Sequence, residues 1–242
     1  YAVADAPELE GLDVPLLALT ADEARAMVDA ARPMVEDIMH DRFGAELLGI
    51  APYPPQVVFC KGEITSLADL EGKKVAGAGY NLRYLEGIEG AAGVRGGLPN
   101  FYNMVQTGVV DAAMLWPEAA KTFKIAEVAP YMLKVDLGAV NSKTVTVNKD
   151  VWNKLPDDVK SVLQMVALEY RDHIAGIAMD RATASIDAFK AGGGTVVELS
   201  EEARAAWANS MPNIAVDWAK KLDETGADGM IPLEVRGLHD PA

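Results

Sequence analysis

The chain has 242 residues, of which 50% are hydrophobic and 24% charged, so it is long enough for one large domain or for two lobes with separate cores. Its formal net charge of −14 at pH 7 argues against nucleic acids and anionic membrane surfaces as partners, because both attract basic faces. No apolar run approaches the roughly 20 residues that a transmembrane helix needs, and a single cysteine excludes an intramolecular disulfide.

Helices and strands are predicted to alternate along the chain. Thr20 and Glu23 form a capping box that opens the first helix, and Gly44 ends it. The stiff segment Pro-Tyr-Pro-Pro at 52–55 breaks the chain after the first strand. Strands are predicted at 45–50, 56–61, 74–78, 109–115, 143–148 and 195–199, and helices at 20–42, 80–88, 101–107, 156–190 and 200–225.

This alternation predicts an α/β fold with mostly parallel sheets. The helix at 156–190 exceeds the usual length of a globular helix, so it is expected to bridge two lobes or to bend at Gly176. In folds of this kind ligands bind at the carboxyl ends of strands.

The sequence offers no convincing catalytic constellation. It has no G-x-S-x-G elbow and no P-loop. The Gly-Ala-Gly of residues 77–79 is expected to let the backbone turn tightly and approach a ligand or a helix rather than to bind phosphate. The histidines His40, His173 and His239 lie far apart, which argues against a His/Cys metal site but leaves a calcium site open. Cys60 follows a run of apolar residues and is predicted to be an inert core thiol.

Four segments, in this order, resemble the solute-binding proteins of tripartite ATP-independent periplasmic (TRAP) transporters, the DctP family. They are Ser-Leu-Ala-Asp-Leu-Glu-Gly-Lys-Lys-Val at 66–75, Tyr-Asn-Met-Val-Gln-Thr-Gly-Val-Val-Asp at 102–111, Phe-Lys-Ile-Ala-Glu-Val-Ala-Pro-Tyr at 123–131 and Val-Asn-Lys-Asp-Val-Trp-Asn-Lys-Leu-Pro at 147–156. The resemblance spans essentially the whole chain.

The resemblance implies a two-lobed periplasmic-binding-protein-like fold with a long bridging helix. Lobe I is expected to comprise residues 1–57 and about 144–190, and lobe II residues 58–143 and about 191–242. Family members begin with a further strand-helix-strand segment, and this chain is expected to start after it and after a removed signal peptide. The lobes of family members close over a ligand.

The function implied is capture of a small organic anion in the periplasm and its delivery to the membrane subunits of a TRAP transporter. No cofactor and no metal-ligating residues are predicted, and whether a calcium ion assists binding stays open. No direct membrane insertion is expected, and the protein is expected to be a monomer.

The sequence departs from the family at the arginines that hold the ligand carboxylate. Ala76 and Gln56 stand at the two positions where family members commonly carry them. Arg83, followed by a tyrosine, resembles a variant in which the arginine lies slightly later in the chain. Arg83 is therefore the predicted carboxylate anchor, with an ordinary helix arginine paired to Glu86 or Glu89 as the alternative.

Five further residues are candidates for ligand contact. Trp116 follows an apolar strand and could form an aromatic wall or pack in the core, while Tyr53 and Gln56 lie where the chain is expected to cross between lobes. Tyr80 begins the helix predicted at 80–88, and Asn141 lies just before the strand predicted at 143–148. With two arginines replaced and aromatic residues nearby, the sequence favours an apolar or aromatic monocarboxylate.

Two other functions are compatible with such a scaffold. One is a small-acid lyase, for which only Tyr53, Tyr80 or Glu118 could serve as the acid or base. The other is the ligand-sensing module of a receptor. A binding protein needs no general base, which agrees with the missing catalytic constellation.

Overall fold

A computed structural model describes residues 8–9, 21–53, 55–135 and 140–224. The capping residue Thr20 and the tail histidine His239 lie outside the described residues. The helices are α1 Ala21–Phe43, α2 Phe101–Gln106, α3 Ala119–Thr122, α4 Lys149–Trp152, α5 Asp157–Ala191, α6 Glu201–Ser210 and α7 Ile214–Glu224. The strands are β1 Ala45–Tyr53, β2 Val57–Cys60, β3 Lys74–Gly77, β4 Ala92–Arg95, β5 Ala112–Leu115, β6 Tyr131–Lys134, β7 Val140–Asn148 and β8 Thr195–Glu198. Short 3-10 helices include Leu67–Leu70 and Gly79–Gly87.

The described residues divide into two compact units. Unit 1 holds the chain up to residue 53, then 140–178 and 215–224, and unit 2 holds 55–135 and 179–214. The predicted lobe boundaries stay predictions. This division differs from them at residues 55–57, 140–143, 179–190 and 215–224, which fall in the opposite unit from the predicted one.

Unit 1 is built on a two-stranded antiparallel sheet of β1 and β7. Helix α1 follows the apolar period of a helix and buries Val28, Ala31 and Val35. On the other side of the unit Leu48, Trp152 and the α5 residue Ala167 form a small cluster. Trp152 is therefore a core residue of unit 1.

Strand β1 runs further than the sequence predicted. A strand break was expected at Pro52, but Pro52 pairs with Asn141 and Tyr53 pairs with Val140. The register shifts between Ala51 and Pro52. Such an irregularity accommodates proline, which has no N–H to give to the ladder.

Unit 2 is built on a six-stranded sheet in the order β4-β3-β5-β2-β6-β8. Strands β3 and β4, β3 and β5, and β6 and β8 pair in parallel, whereas β2 is antiparallel to both of its neighbours. The sheet is thus mostly parallel, with one reversed strand near its middle. The sequence pattern missed β4 and β6, each of which has only four residues.

One face of this sheet carries the main core. The rings of Phe59 and Phe189 meet edge to face with centroids 5.7 Å apart. Burying a side chain of this size contributes roughly 1.5–3 kcal/mol each. The cluster is formed by Val57, Phe59, Ala76, Phe101, Val105, Val110, Ala113, Leu115, Ala119, Ala120, Ile125, Ala129, Met132 and Phe189.

The C-terminal part differs from prediction in two ways. The single helix expected at 200–225 is two helices, α6 and α7, because Pro212 has no N–H to continue the helical bonds. The helix expected at 80–88 is a 3-10 helix, Gly79–Gly87. Helix α6 packs on it, and the buried Trp207 donates its indole N–H to the carbonyl of Tyr84 at 2.9 Å.

Helix α5 is 35 residues long and continues without interruption through Gly176. Its first part belongs to unit 1 and its last part to unit 2, so the predicted long helix is present. Among the described residues no helix is both long and apolar enough to cross a bilayer.

We predict that Gly87→Ala destabilises the protein by about 1–3 kcal/mol. A Cβ at residue 87 would lie 2.5 Å from Ser210 Oγ and 3.0 Å from Trp207 Cδ1, whose buried ring has little room to move. The matched variant Gly176→Ala adds its Cβ to open space inside a helix and should stabilise by about 0.5–1 kcal/mol. Urea unfolding measures both, and equal effects would contradict the packing of α6 on the 3-10 helix.

We also predict that the thiol of Cys60 is inert in the folded protein. Cys60 is buried in β2, and burial raises the pKa of its thiol to about 12. At pH 8 about one thiol in ten thousand would then be ionised. A thiol-reactive chromophore should label the native chain very slowly and the guanidinium-unfolded chain completely. Rapid stoichiometric labelling of the native chain would show this site to be open.

Candidate functional site

Because β2 is reversed, it begins at the same edge of the unit 2 sheet at which the other five strands end. Strands β3, β4, β5, β6 and β8 all end there, and β2 begins there because it runs the other way. We call this the carboxyl edge of unit 2. It carries Gln56 before β2, the loops from Gly77 and Gly96, and Trp116 after β5. Such edges are the usual ligand-binding positions of α/β sheets.

Gln56 lies at this edge with an unsatisfied polar atom. Val57, the next residue, pairs with Leu115 of β5, so Gln56 and Trp116 are the next residues outward on two neighbouring strands. The side-chain oxygen Oε1 of Gln56 is buried and has no hydrogen-bond partner among the described residues. Leaving a buried acceptor unpaired costs about 1–3 kcal/mol, so this oxygen is suited to a donor brought by a ligand.

Trp116 is compatible with both roles left open by the sequence, packing in the core and forming an aromatic wall for a ligand. Its ring packs against the main core of unit 2 and meets Phe123 edge to face, with centroids 6.3 Å apart. The residue is nevertheless only partly buried. It can therefore offer the rest of its surface to a ligand at the carboxyl edge.

The glycine-rich loop after β3 serves packing of the chain against itself. A Cβ at Gly77 would lie 2.6 Å from Leu82 Cδ2, so only glycine lets the 3-10 helix lie this close to the strand. Gly79 has a φ of +57°, which favours glycine, and it starts that helix. This agrees with the expectation that the loop does not cradle phosphate.

Arg83, the predicted carboxylate anchor, is already engaged. It lies on the 3-10 helix after the carboxyl edge, and its Nε and Nη2 donate to the two carboxylate oxygens of Glu86 at 2.7 and 2.8 Å. Its side chain is 24% exposed. The structure thus contains the pair with Glu86 that the sequence offered as the alternative, and the anchor role of Arg83 stays a prediction.

For the remaining candidates the structure describes only the backbone. Tyr53 ends β1 opposite Val140, and Asn141 lies beside them on β7, so these two candidates share one ladder in unit 1. Tyr80 lies in the 3-10 helix of unit 2. The side chains of Tyr53, Tyr80 and Asn141 lie outside the described residues.

One charged residue of the carboxyl edge was missed by the sequence analysis. Arg95 ends β4 and pairs in register with Gly77 of β3. Its side chain is exposed, and no described residue forms a hydrogen bond or an ion pair with that side chain. Its segment, Ala-Gly-Val-Arg, lacks the run of β-branched residues that predicts a strand, so its place at the edge could not be foreseen.

The opposite edge of the same sheet has a cavity of about 290 Å³. Its charged lining is of mixed sign, with the two lysines Lys61 and Lys73 and the three acidic residues Glu63, Asp69 and Asp111. Within the described part of the chain no group of His, Cys, Asp and Glu side chains is arranged to hold a metal ion. His40 instead bonds with Asp41 at 3.0 Å.

Comparison with known proteins places these features in a family. The C4-dicarboxylate-binding periplasmic protein DctP of Rhodobacter capsulatus is 33% identical over 122 residues, which are 50% of this chain and 36% of that protein. The chain therefore matches only about a third of the length of this relative.

Two solved structures show the same fold. DctP7 of Bordetella pertussis, an extracytoplasmic solute receptor binding pyroglutamic acid, has a TM-score of 0.83 at 21% identity, covering 98% of this chain and 77% of that one. A TRAP periplasmic solute-binding protein of Desulfovibrio salexigens with bound orotic acid has a TM-score of 0.85 at 18% identity, covering 98% and 76%.

The family described as bacterial extracellular solute-binding protein, family 7 (DctP), matches residues 6–221. This match confirms the resemblance found in the four sequence motifs. With the solved structures it also confirms the predicted two-lobed α/β fold, a binding rather than an enzymatic class, and a location outside the cytoplasm. Since the match takes in most of its length, the chain belongs to the DctP family of bacterial extracellular solute-binding proteins.

Proposed function

We propose that this chain captures a small organic carboxylate in the periplasm and delivers it to the membrane subunits of a TRAP transporter. The observation that carries the proposal is the buried, unpartnered Oε1 of Gln56 at the carboxyl edge of unit 2, where the next strand ends in the partly buried Trp116. Carboxylic acids are also the ligands of the similar structures, pyroglutamic acid in one and orotic acid in the other.

The ligand class follows from the small number of cationic side chains at the carboxyl edge. Ala76 is completely buried, so it supplies no cation where family members commonly carry an arginine, and Gln56 is neutral. A site with fewer cations favours one carboxylate over two, because each desolvated carboxylate needs its own partner. We therefore propose an apolar or aromatic monocarboxylate rather than the C4-dicarboxylates named for the Rhodobacter capsulatus relative.

Binding of such an anion has to rely on local groups. The chain has 36 acidic and 22 basic residues, so its overall field repels an anion at long range. At periplasmic ionic strength this repulsion is screened within about 8–10 Å, and short-range donors at the edge then decide affinity.

Four other predicted residues remain part of this proposal as ligand contacts. Arg83 would share its guanidinium between Glu86 and the ligand, and Tyr80 lies on the same 3-10 helix. Tyr53 and Asn141 lie on the β1–β7 ladder close to the points at which the chain passes between units. A phenol or an amide at these positions would add hydrogen bonds to the ligand.

We predict that monocarboxylates raise the melting temperature of the protein without being consumed. Binding to the native state alone stabilises it by about 2.7 kcal/mol when the ligand is at a hundredfold excess over Kd. A thermal-shift screen with pyroglutamate, orotate, benzoate and succinate measures this, and chromatography of the recovered acids checks that they are unchanged. Shifts caused by neutral sugars or amines, with none from any acid, would refute anion binding.

We also predict that a bound acid changes the fluorescence of Trp116. Trp116→Phe should abolish most of the ligand-induced change because this ring lies at the carboxyl edge. The control Trp207→Phe removes a buried indole that bonds to Tyr84 and should leave the change intact. If the change survives in Trp116→Phe and disappears in Trp207→Phe, Trp116 is only a packing residue.

A further inference from the structure

We propose that Arg95 binds the carboxylate of the ligand and that Gln56 accepts a hydrogen bond from an N–H or O–H group at the ligand's other end. The ligand would then be a small ring acid with one carboxylate and one ring donor. This assignment rests on the proposed function and specifies how the same edge recognises its ligand.

Arg95 lies at the right edge of the sheet to meet a ligand. It is the last residue of β4, level with Gly77, at the carboxyl edge. Leu82 covers the sheet at Gly93 and Gly77, where an added Cβ would lie 3.0 and 2.6 Å from its Cδ2. Arg95 is two residues beyond Gly93 and therefore on the same face of the strand, and its side chain is exposed to solvent.

Arg95 faces away from the main core of unit 2. Its strand neighbour Val94 packs in that core, and successive side chains of a strand alternate between faces. Gln56 lies just before β2, and the register of β2 with β5 sets it at the same edge of the sheet as Arg95. The two polar groups therefore share the carboxyl edge.

The distance between the two strands suits one small molecule. Strands β3 and β5 lie between β4 and β2, which makes three strand spacings, or about 14 Å, across the sheet. The register puts Gln56 two residues further out than Arg95, so their backbones are about 16 Å apart. An arginine and a glutamine side chain that extend towards each other across this distance leave room for a single ring. Residues 77–79, where β3 leaves the sheet between them, are Gly-Ala-Gly and carry no long side chain.

The neighbouring charges favour Arg95 over Arg83 as the residue that binds the ligand carboxylate. Both carboxylate oxygens of Glu86 already accept bonds from Arg83, so a ligand would have to compete with a carboxylate three residues away. Arg95 has no carboxylate partner among the described residues and can offer its planar fork to a ligand. Arg95 thus supplies the positive charge that Ala76 cannot.

Titration calorimetry with pyroglutamate and orotate tests this on the whole protein. Arg95→Gln should weaken binding of whichever acid binds the wild type by about 10- to 100-fold. Arg95→Lys should recover only part of that loss, since lysine lacks the bidentate fork. The control Lys73→Gln removes the same charge at the opposite edge of the sheet and should change affinity by less than about twofold.

The matching carboxamides separate a direct contact from a structural effect. Pyroglutamide and orotamide keep the ring donors but carry no charge, so their affinity should be the same for the wild type and for Arg95→Gln. Gln56→Met should weaken binding of pyroglutamate by about tenfold but leave its N-methyl derivative unaffected, because that compound has no ring donor.

Three outcomes would overturn the assignment. One is wild-type affinity for the acid in Arg95→Gln, and another is an equal loss for acid and carboxamide. The third is a loss found only in Arg83→Gln, which would make Arg83 the anchor. In each of these cases the acid still binds the wild-type protein, so the proposed function stands. If none of the tested acids binds the wild type, both the proposed function and the assignment of Arg95 and Gln56 are overturned.

Discussion

Strand β2 runs against its neighbours in the sheet of unit 2, and this reversal decides which residues can meet there. The antiparallel pairs of β2 with β5 and β6 set the start of one strand beside the ends of five others. Gln56 is thereby brought next to Trp116 and onto the same edge as Arg95, although Gln56 and Arg95 are far apart in the chain. If β2 ran parallel to β5, Gln56 would lie at the amino edge, near Lys73 and Asp111.

Much of this arrangement follows from local sequence signals. Asp69 accepts bonds from the backbone N–H groups of Thr65 and Ser66, which lowers the pKa of its carboxyl group and caps the turn at 67–70. Gly44, with a φ of +57°, ends α1 as the sequence predicts, and Gly108, with a φ of +76°, follows α2 in the same way. The long helix α5 begins directly after Pro156, as its sequence predicts.

What the sequence did not reveal depends on contacts between distant segments. Strand β4 forms because β3 pairs with it, not because Ala-Gly-Val-Arg favours a strand, and so Arg95 was overlooked. The helix expected at 80–88 is of the 3-10 type and lies where Leu82 meets Gly77 and Gly93. The role of Arg83 could not be decided either, since a basic residue three positions before Glu86 looks the same whether it serves a ligand or the helix.

The two arginines near the carboxyl edge differ in how close the nearest acidic residue lies in the sequence, and this decides whether each can bind a ligand. Arg83 and Glu86 are three residues apart, so folding of the 3-10 helix brings them together without closing a long loop. Such an exposed pair contributes at most about 1 kcal/mol, yet it occupies the guanidinium fork. Arg95 is followed by two glycines and has no acidic residue within five positions on either side, so no local partner competes for it. The chain has a net charge of −14, so acidic residues compete for most of its cations. A basic residue with no acidic residue nearby in the sequence is the one best placed to bind an anion from solution.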